Sequence, residues 1–166
     1  MNEDKPVDFM ARFASSEPFE RVFREGMGLV EETADYLDGR GRKEARLLDR
    51  EGAVAYATES MRLTTRLMQM ASWLLLQRAM QAGEITRDDA QAEKRRINLE
   101  AVGPAAPVAG GNGVPEGLTS LISRSLRLHE RILTLDRSLA GPREAEAGEN
   151  PVGEQLEQLA KAFGAG

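Results

Sequence analysis

The stretch LTTRLMQMASWLLLQRAM, Leu63 to Met80, is the most apolar part of the chain. On a helix turning about 100° per residue it carries one stripe at Met61, Met68, Ser72, Leu75 and Ala79. A second stripe runs through Leu63, Leu67, Met70 and Leu74, and Trp73, Leu76 and Met80 fill much of the remaining arc. A helix apolar on nearly every side must be surrounded, by other helices of its own chain or by a second copy. It is not membrane-spanning, because Arg66, Gln69, Gln77 and Arg78 interrupt it and no apolar run approaches the roughly 18 residues a bilayer requires. The stretch predicts a buried helix of a soluble protein.

Upstream, no proline occurs between Arg42 and Pro104, so one helix is expected over about 43–82, ending at Gly83. At about 1.5 Å per residue it would be about 60 Å long. Gly52 is its weak interior point, and its first half has a narrow stripe at Leu47, Val54, Ala57 and Met61. Before it, Ser15 or Ser16 can cap a helix over about 17–38, with Pro18 in the first turn and a stripe at Phe19, Val22, Phe23, Met27, Val30, Ala34 and Leu37. After Gly83, Thr86 and Asp89 form an acidic variant of the capping box, predicting a short peripheral helix over about 87–98. Residues 100–115, rich in Pro and Gly, read as a flexible linker. A last helix over about 116–140 starts at Pro115 and ends at Gly141-Pro142. Its stripe of Leu118, Leu121, Ile122, Ser125, Leu128, His129, Ile132, Leu135 and Leu139 is expected against the central helix.

The fold expected is all-α: an antiparallel three-helix bundle over 15–140 with a long central helix, between a flexible N-terminus (1–14) and a disordered acidic tail (142–166). Within the tail, Leu156, Leu159 and Phe163 fall at helical steps and form either a docking motif or passive sequence.

A net charge of −5 and a pI near 5.1 argue against a nucleic-acid protein. Cysteine is absent, which excludes disulfides and thiolate chemistry and fits a reducing cytoplasm. The N-terminus MNEDKPVDFM lacks the charge and apolar run of a signal peptide, so a cytoplasmic protein is expected. No glycine-rich phosphate loop, paired metal-ligand motif or nucleophile elbow occurs, so neither an enzyme, nor a cofactor, nor a metal site is expected. The single histidine, His129, reads as a packed, hydrogen-bonded side chain of the last helix.

Candidate interface residues come from two patches. Arg66 shares a face with Trp73, a pairing favoured at binding hot spots, and Met70 and Met80 belong to an adaptable methionine cluster; burial in the core accounts for the same pattern. Arg124, Arg127 and Arg131 lie within about 60° of arc on the last helix and either grip an acidic partner or form a solvated face.

The run Leu63-Thr64-Thr65-Arg66-Leu67-Met68-Gln69-Met70-Ala71-Ser72-Trp73-Leu74-Leu75, followed by Gly83-Glu84-Ile85 and Glu93-Lys94, resembles the RcdA family, regulators of CtrA degradation in alphaproteobacteria. The resemblance covers residues 17–140, most strongly 61–97. It implies a cytoplasmic, non-enzymatic adaptor on a dimerising three-helix bundle, which helps the ClpXP protease degrade cell-cycle regulators. Such an adaptor joins a primed protease complex to cargo, or to a cyclic-di-GMP-responsive carrier of cargo. The second messenger would then bind the carrier, and no nucleotide site is expected here. Two rival readings stand beside it: a structural or dimerisation protein without proteolytic clients, and a small-molecule-sensing regulator with a pocket near Met70, Trp73 and His129.

Overall fold

A computed structural model describes residues 17–100 and 113–145. Five helices form there: α1 (Glu17–Asp38), α2 (Arg40–Ala45), α3 (Arg50–Gln81), α4 (Arg87–Arg96) and α5 (Glu116–Ala145). No strand occurs among the described residues, and the fold is an all-α helical bundle. The expected N-terminal segment, the serine cap of α1, nearly all of the linker and the tail residues Leu156, Leu159 and Phe163 lie outside the described residues. The chain divides into two compact units, residues 1–133 and 134–166. In the second, the last turns of α5 include a bond from Ser138 Oγ to the Thr134 carbonyl (2.9 Å).

The long central helix begins later than its composition suggests. Residues 46–49 break it, and α2 is a separate six-residue helix. The cause is Asp49, an N-cap with extended backbone whose side chain accepts from the Gly52 amide at 2.7 Å. A capping aspartate satisfies a donor that a continuous helix would bond to backbone, so it favours a fresh start. Gly52 therefore lies in the first turn of α3, and its missing side chain is used: a Cβ there would sit 3.2 Å from the Gly113 carbonyl oxygen. At the other end Gly83, with φ +70°, closes α3 as expected of a C-terminal glycine.

Ion pairs and close contacts give the helix directions in the first unit. Glu32 meets Arg124 and Glu25 meets Arg131, so α1 and α5 run antiparallel. Gly26 receives Leu74, and Phe23 lies under Arg78 at 4.4 Å, so α1 and α3 are antiparallel too. Gly52 approaches Gly113 while Arg66 reaches Ser125, so α3 and α5 point the same way. The bundle is thus antiparallel in two of its three pairings; three helices always leave one parallel pair, and here that pair is α3 and α5. The physical reason is the connection from Ala82 to Pro115, long enough to return the chain to the end where α3 began.

Phe19, Leu63, Trp73, Leu74, Leu118, Leu128 and Ile132 are fully buried between these helices. Each such side chain stabilises the fold by about 1.5–3 kcal/mol relative to exposure. On α1 the buried row is Phe19, Val22, Gly26, Leu29 and Thr33, rather than the bulkier stripe through Met27, Val30 and Ala34. Gly26 explains this: a Cβ there would lie 2.5 Å from Leu74 Cδ1, so α1 turns a residue without a side chain to Leu74 of α3. Peripheral α4 starts at Thr86, whose Oγ1 accepts from the Asp89 amide (3.1 Å) and donates to its carboxylate (2.8 Å). It contributes Ala90 to the core, and Leu99 follows just beyond it.

Past Leu133, α5 continues through Gly141-Pro142 to Ala145, five residues beyond the expected stop and into the expected tail. Pro142 removes one backbone donor, a local cost of about 3 kcal/mol, and Arg143, Glu144 and Ala145 after it are strong helix formers.

Candidate interaction surface

Two seven-residue rows of the central helix are chemically inverted. Gly52, Glu59, Arg66 and Trp73, spaced by seven, all face inward and are buried. Val54, Met61, Met68 and Leu75, also spaced by seven, face outward and are 62, 72, 65 and 53 % exposed. The expected stripe of Leu47, Val54, Ala57 and Met61 is therefore a solvent face, and so is the Met61, Met68, Ser72 and Leu75 stripe. Two apolar stripes compete for the core, and the one with Leu63, Met70, Trp73 and Leu74 wins because it buries more surface per turn.

Of the residues marked for an interface, Arg66, Met70 and Trp73 are 1, 1 and 0 % exposed within a single chain, which corrects their reading as a contact patch. Met80 is half-buried. Arg66 Nη1 donates to Ser125 Oγ (2.9 Å), and that hydroxyl donates to the Ile122 carbonyl (2.7 Å). Burial lowers the Arg66 pKa below the ordinary arginine value, and the nearby Glu59 carboxylate opposes this. Arg66 Nε, Glu59 Oε1 and Thr33 Oγ1 are buried with no hydrogen-bond partner. A buried guanidinium stays charged, and its desolvation offsets much of what its hydrogen bond to Ser125 contributes. His129 is buried, and its Nε2 bonds the Leu99 carbonyl, tying α5 to the segment after α4. Met70, Trp73 and His129 are thus packing and linking side chains of the core.

The arginine face of α5 splits. Arg124 binds both carboxylate oxygens of Glu32 at 2.7 and 2.6 Å, and Arg131 binds Glu25 at 2.6 Å. The hydrogen bond from Arg124 holds the Glu32 carboxyl below the usual carboxylate range. These two arginines clasp α1, and Arg127 between them is exposed. A second polar junction, between α1 and α2, places Tyr36 Oη on Glu44 (2.8 Å) and Arg40 on the same carboxylate (2.6 Å). Burial, and then the Glu44 carboxylate, raise the Tyr36 pKa far above the usual tyrosine value.

The surface that sequence reasoning missed is the outward row of α3. Its signal was present in the seven-residue repeat of Val54, Met61, Met68 and Leu75. What separates it from the core row is the residues beside it, Thr64, Thr65 and Ser72, where the inner face has Leu63, Leu67 and Leu74.

Among the described residues no helix is long and apolar enough to cross a membrane, and no group of three or more His, Asp or Glu side chains is placed to hold a metal ion. A family model described as a protein of unknown function (DUF1465) matches residues 10–163. No curated protein matches the sequence. Among solved structures, the chain is similar to the crystal structure of RcdA from Caulobacter crescentus CB15, with 51% sequence identity and a TM-score of 0.62, over 78% of this chain and 96% of that one. With a family match across most of its length and 51% identity over 96% of the RcdA chain, the chain belongs to the DUF1465 family and is a relative of RcdA.

Proposed function

We propose that the chain is a non-enzymatic cytoplasmic adaptor that helps deliver cell-cycle regulators such as CtrA to the ClpXP protease. It would bridge cargo, or a cyclic-di-GMP-responsive carrier of cargo, and a protease complex already engaged by a priming factor. The observation that carries this reading is the 51% identity to RcdA over 96% of that chain. Bridging works by effective concentration: once one client is bound, the encounter with the second becomes intramolecular, so modest contacts suffice. A rigid bundle with a contact face on its outside suits that task, and self-pairing would double the number of sites offered.

The test is reconstituted degradation of a candidate cell-cycle regulator by the protease and its priming factor, with and without this protein. A copy ending at Ala140 runs beside it. Faster degradation with the full chain is the expected result, and loss of the effect on truncation assigns client docking to residues 141–166. No acceleration with verified partners overturns the adaptor reading. It would favour the second one, a purely structural self-pairing protein, which the exposed row of α3 also supports.

A further inference from the structure

From the uneven core of the bundle we infer that one end of it is latched: α2, the first turns of α3 and the start of α5 open together as a unit, with Tyr36 as the pin that holds them shut, while the half around Trp73 stays closed. Buried apolar side chains gather at the Trp73 end. There α3 buries Leu67, Met70, Trp73, Leu74 and Leu76, α1 adds Phe19, Val22 and Leu29, and α5 adds Leu128 and Ile132. The buried polar group His129 is bonded to the Leu99 carbonyl. Opening that end exposes much apolar surface, which makes it the costly end to open.

Toward α2 the core changes character. The buried positions of α3 there are Gly52, Glu59, Leu63 and Arg66, and Thr33 is buried opposite them on α1. Thr33 Oγ1, Glu59 Oε1 and Arg66 Nε have no hydrogen-bond partner, and each such atom costs free energy in the closed form that water returns on opening. Leu118 and Leu121 of α5 are buried at this end beside Leu63, but its closest approach is backbone to backbone: a Cβ on Gly113 would lie 2.8 Å from Gly52 Cα. Such a contact buries little apolar surface.

Tyr36 ties the pieces of this end together. Its ring lies between the backbones of two other elements, since a Cβ on Gly41 of α2 would sit 2.6 Å from its Cε1 and one on Gly117 of α5 would sit 2.6 Å from its Cε2. Its hydroxyl donates to Glu44 Oε2 of α2 (2.8 Å), and the other oxygen of that carboxylate accepts from Arg40 Nε (2.6 Å). A helix of six residues such as α2 does not hold its shape without tertiary contacts, so releasing Tyr36 releases α2. With α2 goes the capped first turn of α3, whose Gly52 rests on Gly113 just before α5. Elements joined through shared contacts of this kind open as one cooperative unit.

Hydrogen exchange of the full chain, followed by mass spectrometry in native buffer and in small steps of urea, tests this without the protease and so apart from the adaptor reading. The amides of residues 41–60 and 114–122 are expected to share one opening equilibrium, at least about tenfold more populated than that of residues 67–77. Tyr36→Phe keeps the ring and removes the hydroxyl, and it is expected to speed exchange in both segments by a common factor while leaving residues 67–77 unchanged. Glu59→Leu/Arg66→Met removes two of the unpartnered atoms, leaves Ser125 its bond to the Ile122 carbonyl, and is expected to slow exchange in both segments. Equal protection along the whole of α3, or acceleration by Tyr36→Phe confined to α2, overturns the inference. So does a folded Glu59→Leu/Arg66→Met variant whose exchange is unchanged or faster.

Discussion

Replacing Trp73 by alanine separates the inner from the outer side of α3. Trp73 is fully buried, whereas Met68, five residues earlier on the same helix, is 65 % exposed. Truncating a buried tryptophan costs about 3–5 kcal/mol through lost burial and the cavity left behind. Alanine returns up to about 0.7 kcal/mol of helix propensity. The net loss is therefore about 3 kcal/mol, a large share of the 5–15 kcal/mol or so that a domain of this size possesses. With a urea m-value of about 1–3 kcal/mol per molar, the unfolding midpoint read from helical circular dichroism falls by at least about 1 M. That loss should be the same at every protomer concentration. Met68→Ala, in contrast, should change the stability of the single chain by less than about 0.5 kcal/mol, and its effect should appear only where association contributes. A Trp73→Ala loss below about 1 kcal/mol, beside a loss of several kcal/mol for Met68→Ala in the dilute chain, would refute the assignment of the two faces.

Other consequences are as direct. Removing the cap with Asp49→Ala should cost about 1 kcal/mol, read as a lower thermal midpoint, with Asp49→Ser retaining most of it. Gly83→Ala should cost roughly 1 kcal/mol for conformational reasons alone, since φ is +70° there and nothing lies within 4 Å of an added Cβ. The exposed Arg124–Glu32 pair should show a coupling of about 0.2–1 kcal/mol in a double-mutant cycle, shrinking in high salt. Because the folded pKa of Glu32 is lowered from 4.5, that coupling is complete above the unfolded value and fades as pH falls through the folded one. Urea titrations between pH 7 and 3 check this, and Arg124→Gln should flatten the difference.

Much of the architecture is legible in the sequence because caps and periodicity are local. Pro115 before α5, Thr86 with Asp89 before α4 and Gly83 after α3 each act on their own turn, and the structure uses each of them there. The break at residues 46–49 hid because Asp49 stands among charged residues that suit a helix equally well. The direction of α5 was not readable, since a connection from residue 82 to residue 115 permits either sense. Which stripe of α3 turns inward depends on its neighbours: Gly26 makes room for Leu74, and Ser125 receives Arg66. Such matches exist only across helices. One long-range signal was nevertheless available, since Glu25 and Glu32 are seven apart, as are Arg124 and Arg131, and the two spacings interlock when α1 and α5 run antiparallel. For the tail motif of Leu156, Leu159 and Phe163, truncation is the measurement that decides.

The central claim, that this protein works by bridging, is tested most directly by titrating it into a degradation reaction with fixed protease, priming factor and cargo. A bridge brings two clients together at low concentration and separates them onto different copies at excess. The account predicts a rate that rises, passes through a maximum and falls. A rate that never rises, or that rises to a plateau and stays there at large excess, would contradict it.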